Sequence, residues 1–345
     1  MEKKTRLARF HTWRLKNVKH RQFVLLLSAL VGFSAGLGAA VLKNLVHLIK
    51  DLLTSGFVME FNYLYFIYPI IGMSLAIVFI KYGIKDKVGH GIPAVLYAIS
   101  KRSSMMKRHN MFSSIVSSAL TVGFGGSVGL EGPTVATGSS IGSNLGQFLR
   151  VNYKTVTLLL GCGAAGAMAG IFNAPIAAIV FALEVIMLDL TMSSLVPLLM
   201  ASVTAAVTSH LLIGDEILFH ITLSDKFQFN DLIYFVLLGV LTGFISVYFI
   251  KFYWLISDFF ERVGNIWKRL LIGGSILGIL VFFIPPLYGE GYKTITALLT
   301  GNEHTIFEGS PVRQFSDNMY LVLLFIAIMV FIKVVATSVT FGAGG

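Results

Sequence analysis

Gly125-Gly126-Ser127-Val128-Gly129-Leu130-Glu131-Gly132-Pro133 decides how the rest of the chain is read. One carboxylate, four glycines and a proline stand between two segments, Met111–Phe124 and Thr134–Leu149, that contain no charged residue. Glu131 is therefore expected at membrane depth, where an acidic side chain costs about 2.5–3.5 kcal/mol on insertion scales and marks a functional position. Glycines let backbone N–H groups approach a small ligand with no Cβ in the way. Pro133 suits the first turn of a helix, where its missing N–H had no intrahelical partner. The stretch reads as a broken helix with a new helix N-terminus aimed into the protein. Such an end carries roughly +0.5 charge and N–H donors, which favours a bound anion. The competing reading is a glycine-rich re-entrant turn whose glutamate only bonds to its neighbours. A phosphate cradle does not fit, because no Gly-Lys-Ser/Thr follows and no βαβ pattern surrounds the loop.

The composition gives this stretch its context. Of 345 residues, 55% are hydrophobic and 13% charged, and the mean hydropathy is +0.79. That balance excludes a soluble domain and points to an all-α polytopic membrane protein. The net charge of +10 is not a nucleic-acid signal, since much of it lies in Met1–Arg21, with eight Lys/Arg against Glu2 alone. The positive-inside rule places that segment in the cytoplasm, and Leu7–Val18 fits a helix lying on the membrane surface. It is not a cleavable signal peptide, because a full span follows a long charged region. The single cysteine, Cys162 between Gly161 and Gly163, rules out an internal disulfide framework and reads as a small packing residue. The eight histidines are scattered, and no metal-ligand spacing, paired catalytic acids or nucleophile–base arrangement stands out. No metal, cofactor or enzymatic activity is expected.

Apolar spans are expected at about Gln22–Ile49, Tyr63–Ile80, Val196–Ile213, Leu232–Ile256, Leu270–Leu287 and Met319–Ser338, besides the two flanking the central stretch. Gly32, Gly36 and Gly38 give the first a small-residue face for close packing. Val88–Ser100 is too short to cross a bilayer, which needs about 20 residues. Opening with Gly89-His90-Gly91-Ile92-Pro93, it reads as a half-helix and a second inward-pointing helix N-terminus. It lies between the basic loop Lys81–Lys87 and the cations Lys101, Arg102, Lys107 and Arg108, which match the N-terminus in side. Leu158–Ile171 is rich in glycine, and Asn173-Ala174-Pro175 separates it from Ile176–Leu188, which carries Glu184. The organisation expected is a basic segment over 1–21, a first half over 22–213, a polar connection over 214–226 and a second half over 227–345. Gly239 and Gly243 echo Gly32 and Gly36, and the glycine-rich end Thr340–Gly345 echoes Val122–Gly126. Interrupted helices in matching halves are the mark of inverted-repeat transporters with a midplane site.

These motifs resemble those of the CLC chloride channels and chloride/proton antiporters. Gly89-His90-Gly91-Ile92-Pro93 is similar to the family's Gly-Ser-Gly-Ile-Pro element. Gly129-Leu130-Glu131-Gly132-Pro133 is similar to its Gly-Arg-Glu-Gly-Pro element. Gly170-Ile171-Phe172-Asn173-Ala174-Pro175, with Phe181-Ala182-Leu183-Glu184, resembles the segment that follows. The resemblance runs over roughly Gln22–Gly345 and implies a prokaryotic-type, multi-pass protein of the cell membrane: an inverted repeat of tilted and broken helices, assembled as a homodimer with one anion pathway per subunit. Chloride ions are expected to be held near the midplane by Gly89, His90, Gly91, Ile92, Gly129, Leu130 and Gly132, through helix N-termini rather than a full cation, so that the anion can leave. Glu131 aligns with the gating glutamate. Ionised, it occupies an anion site; protonated, it swings aside, and protons are potential co-substrates.

The departures leave alternatives open. His90 stands for a serine; either its ring N–H faces the anion, or it points aside and backbone donors suffice. Leu130 stands for an arginine, a modest electrostatic change. The inner glutamate of many antiporters would fall at Val185, one residue after Glu184, which leans toward a channel or weakly coupled carrier. Lys333, in an apolar span, either tunes the field of the pathway or pairs internally. Fluoride or nitrate are alternative cargoes, and an inverted-repeat carrier for an organic anion or a cation is a second class, for which Glu131, Glu184 and Asp231 are few ligands. The chain stops inside a glycine-rich loop where the family continues with Gly-Gly-Ile-Phe-Ala-Pro and further helices. The expectation is an incomplete second half, in a fragment or a truncated gene product that does not conduct alone.

Overall fold

In the computed structural model, the residues described are 14, 16–54, 63–86, 88–89, 91–186, 192–214, 228–302, 306–307, 309–311 and 318–345. Most of the basic segment 1–21, with the helix expected over Leu7–Val18, falls outside them, as do His90 and all of the 214–226 connection except Gly214. Among the described residues the regular structure is helical throughout. Twelve α-helices follow one another: α1 His20–Thr54, α2 Tyr68–Val78, α3 Gly91–Lys101, α4 Asn110–Gly123, α5 Glu131–Phe148, α6 Tyr153–Phe172, α7 Pro175–Val185, α8 Met192–Ile213, α9 Leu232–Val263, α10 Ile266–Phe283, α11 Tyr292–Leu299 and α12 Met319–Ala343. Six of the helices are long and apolar enough to cross a membrane. At 1.5 Å per residue α1 runs roughly 50 Å, longer than a ~30 Å hydrocarbon layer, so it either tilts or extends past it. By the same measure α3 and α7, with 11 residues each, reach about 16 Å and end inside it.

Two expected spans are divided, and proline is the reason. Tyr63–Ile80 divides into a 3₁₀ turn, Tyr63–Phe66, and α2, which has Pro69 in its first turn and runs on as a π-helix over Phe79–Ile84. Leu270–Leu287 stops as a helix at Phe283, because Pro285 and Pro286 cannot donate to the preceding turn and form a 3₁₀ turn instead. Between α6 and α7, Asn173 adopts a left-handed conformation at φ 51° and Pro175 opens the next helix, as the Asn-Ala-Pro punctuation implies. The short helix α11 had no counterpart in the reading of the sequence.

The chain forms two compact units, each drawn from non-contiguous segments. One gathers Met1–Leu45, Ile80–Ala119 and Leu130–Ile217; the other gathers Val46–Phe79, Leu120–Gly129 and Leu218–Gly345. The first unit is built on backbone contact. A Cβ at Gly138 of α5 would stand 2.1 Å from the Gly163 carbonyl oxygen of α6, and one at Gly163 would stand 1.9 Å from the Gly138 oxygen. Cβ atoms at Gly32 and Gly36 of α1 would stand 2.3 and 2.6 Å from the carbonyl oxygens of Ala201 and Ala205 on α8. In lipid there is no hydrophobic force to join apolar helices, so small residues that allow dense van der Waals contact do it instead. The core of this unit is accordingly poor in bulk, with Cys162, Ala164, Ala165, Ala169 and Ala201 buried beside Leu159, Leu160 and Leu198.

The second unit packs α10 against α2 and α12. Cβ atoms at Gly274 and Gly278 would strike Ile70 and the Phe66 carbonyl, and one at Gly273 would strike Ala343. Phe260, Leu270, Leu277, Val281, Leu287 and Val339 fill the space between. The echo of Gly32 and Gly36 in Gly239 and Gly243 is not repeated in packing, since nothing described lies within 4 Å of where their side chains would be. The contrast is testable. Gly138→Val forces α5 and α6 apart, and the purified variant is expected to lose its monodisperse elution in detergent. Gly239→Ala meets open space and relieves a helix glycine worth about 1 kcal/mol, so its thermal midpoint should stay level or rise.

Candidate functional site

Glu131 is the first residue of α5. Leu130 takes the N-cap position at φ −92°, ψ −1°, and offers no side-chain acceptor to the N–H groups of the opening turn. Its side chain is buried, and its carbonyl receives both the amide and the hydroxyl of Thr134, at 3.0 and 2.6 Å. Pro133 contributes no N–H, and Gly132 no side chain. Glu131 itself is half-buried.

A second helix start meets the first. Gly91 opens α3 at φ +42°, a left-handed value suited to glycine, and its N–H turns back to the Gly89 carbonyl at 3.0 Å. A Cβ on Gly91 would stand 2.9 Å from the Cα of Gly132, and one on Gly132 would stand 3.7 Å from the Cα of Gly91. The first turns of α3 and α5 thus touch backbone to backbone. Both place proline third, as Gly91-Ile92-Pro93 and Glu131-Gly132-Pro133. Each end contributes a partial positive charge of roughly +0.5. With a carboxylate on the first residue of one of them, the arrangement suits an anion and a side chain able to compete with it.

Of the other residues singled out by sequence, Ile92 is half-buried against the core of this unit and Gly89 is exposed. Gly129 immediately precedes Leu130. Glu184 is exposed in the last turn of α7, with Val185 half-buried beside it. No cluster of three or more His, Cys, Asp or Glu side chains fit to hold a metal occurs among the described residues.

Lys333 belongs to α12, in the second unit. Its ammonium donates to the Ser127 hydroxyl and to the Gly289 carbonyl, both at 2.9 Å. Thr337 donates its hydroxyl to the Ser127 carbonyl at 2.9 Å, and the Ser127 amide donates to the Thr340 hydroxyl at 3.2 Å. Ser127, buried in the segment that leads to Glu131, therefore has its amide, carbonyl and hydroxyl all tied to one helix. Sequence reasoning passed over Ser127, Thr337 and Thr340. A signal was present: Lys333, Thr337 and Thr340 recur at i, i+4 and i+7, one face of an otherwise apolar helix. The same segment is held by Tyr288, whose hydroxyl donates to the Gly123 carbonyl and whose ring lies 3.1 Å from where a Cβ on Gly125 would be.

Known proteins match this chain in sequence and fold. The family model described as voltage gated chloride channel matches residues 71–345. The H(+)/Cl(-) exchange transporter ClcA of Vibrio cholerae is 30% identical over 292 residues, which cover 81% of this chain and 62% of that protein. An uncharacterised protein of Methanocaldococcus jannaschii is 28% identical over 320 residues, 92% of this chain and 73% of that one. The chain thus spans less than two thirds of the Vibrio protein's length. Among solved structures, a CLC-type fluoride/proton antiporter superposes with a TM-score of 0.74 at 25% identity, over 95% of this chain and 78% of that one. A slow cyanobacterial Cl−/H+ antiporter gives the same TM-score at 23% identity, over 95% and 75% of the two chains, and shows the shared fold. Matched by the family model from residue 71 to residue 345, the chain belongs to the voltage gated chloride channel family, the CLC proteins.

Proposed function

We propose that this protein carries chloride, or an anion of similar size, across a membrane, and that Glu131 gates the path and carries the proton exchanged for it. The observation that carries the reading is the apposition of Gly91 and Gly132, which sets two helix starts side by side with Glu131 on the first residue of one. Backbone donors of this kind bind an anion by many partial charges, so it is held without being trapped. When ionised, the Glu131 carboxylate competes for the same donors. When protonated, it no longer does, and the anion enters. Proton coupling is favoured over a passive channel because the named relatives, ClcA of Vibrio cholerae and the fluoride/proton antiporter, are both proton exchangers. Chloride is the first cargo to test and fluoride the second. Glu184 and Lys333 are assigned no step in this scheme.

The working unit is proposed to be a homodimer with one path per subunit, in the cell membrane. The cations of the N-terminal segment and of the loop over Lys101–Arg108 set the cytoplasmic side.

Proteoliposomes test the reading. With voltage shunted, an inward chloride gradient should drive protons outward against their own gradient; chloride flux with no proton movement would reduce Glu131 to a gate. In Glu131→Gln, proton movement should vanish and the remaining anion flux should lose its dependence on pH. Flux with unchanged pH dependence in that variant would remove the glutamate from the mechanism. Gly91→Ala places a Cβ against Gly132 and forces a left-handed conformation costing about 1–2 kcal/mol. It should weaken chloride binding by calorimetry roughly tenfold, while the folded protein is still recovered.

A further inference from the structure

The loop between α3 and α4 carries Lys101, Arg102, Lys107 and Arg108. A positive-inside bias requires such cations only to be near the membrane, not to be ordered. Here the backbone that carries them is held by hydrogen bonds. α3 ends with Ser103 and Ser104 at positive φ and with the Ser104 amide bonded to Ala98. The Ser104 hydroxyl pairs with Thr157 at 2.6 Å, and its carbonyl receives the Ser143 hydroxyl at 2.6 Å. Ser143 also accepts the Met106 amide at 3.0 Å, Gln147 donates to the Met106 carbonyl at 3.3 Å, and Ser140 donates to the Lys107 carbonyl at 3.1 Å. Ser140, Ser143 and Gln147 lie at i, i+3 and i+7 on α5, so one polar stripe of this helix grips the basic loop along its length.

The grip leaves an open surface depression of about 570 Å³ lined by all four cations together with Asn144 and Gln147. No acidic residue lines it. Asp86, outside the lining, pairs with Lys107 and lies 3.4 Å from His109 Nε2. The Arg102 guanidinium sits 5.3 Å from the Tyr97 ring centroid, which orients it. Four cations are too costly to place in hydrocarbon, so the depression lies at headgroup level. It is also about 20 Å along α5 from Glu131, at 1.5 Å per residue.

We propose that this depression is a binding site for a phosphate-bearing anion. Two arginines supply forked donors matched to phosphate oxygens and two lysines supply point charge. The volume falls in the range of small-ligand pockets. Basic pockets between membrane helices suit anionic headgroups, and a soluble phosphate offers the same chemistry.

The purified chain in a non-ionic detergent is titrated with dioctanoyl phosphatidic acid, with glycerol 3-phosphate and with dioctanoyl phosphatidylcholine, and binding is read by native mass spectrometry and by thermal midpoint. The expected result is saturable binding of phosphatidic acid, weakened by salt and at least tenfold weaker in Arg102→Gln/Arg108→Gln. Both side chains are exposed, so the variant should fold; Arg102→Gln alone serves if it does not. Lys268→Gln/Lys293→Gln, which removes equal charge from the other unit, should bind as the parent does. Binding of the lipid alone makes the site a headgroup site. Binding of glycerol 3-phosphate as well makes it a general phosphate site. Equal response to phosphatidylcholine, or equal loss in both double variants, would overturn the proposal. None of these readouts requires anion transport, so the result stands apart from that of the Glu131 experiments.

Discussion

An unpaired peptide group in hydrocarbon costs several kcal/mol, and this cost governs where the chain breaks its helices. Every break at membrane depth needs its amides and carbonyls taken up by something other than water. The segment from Gly125 to Gly129 meets the requirement through Ser127, whose amide and carbonyl both bond to hydroxyls of α12. The lysine that completes the set, Lys333, is itself satisfied by Ser127 and Gly289. A charge that would be expensive alone is held by the backbone irregularities it helps to stabilise, here the Gly289 carbonyl in the loop after Pro285-Pro286. The break before α5 is thus a fixed feature of the second unit.

The same medium explains why glycine and alanine, not leucine, hold the first unit together. Leucine gains nothing by leaving lipid for another helix. Two backbones in contact gain dispersion energy over their whole length. The reciprocal contact of Gly138 and Gly163 places α5 against α6 with no side chain between them. An interface of that kind has few alternative packings, because any sliding brings a Cβ into a carbonyl. The rigidity serves the site: the start of α5 can hold a fixed place against Gly91 only if the body of the helix cannot shift.

Much of this was legible from the residues. Glu131 between two uncharged segments, the short helix behind Gly91-Ile92-Pro93, and the Gly32/Gly36 face all carry local signals, because each depends on neighbours a few positions away. The divided spans at Pro69 and Pro285-Pro286 were legible too, and were passed over because hydropathy averaged across the prolines. The Ser127 contacts were of another kind. They join residues more than two hundred positions apart, and no local pattern says that Lys333 on α12 answers Ser127 before α5. Gly239 and Gly243 show the reverse error, in which a spacing that means contact in α1 has no contact within the described part of α9. Small-residue spacing states that close approach is permitted; only a partner decides whether it occurs.

α5 brings these strands together in one helix of 18 residues. Its first turn has no side-chain cap from Leu130 and is set against Gly91. Its middle is stripped of side chains where it meets α6, which fixes its position. Its last turns carry serine, asparagine and glutamine, whose hydrogen bonds to the Lys101–Arg108 loop would have no function in an apolar span. A helix built only to fill a membrane would be uniformly apolar. One that changes from a start set against Gly91 to a glycine seam to a polar grip along its length holds the Glu131 end and the basic loop in fixed relation.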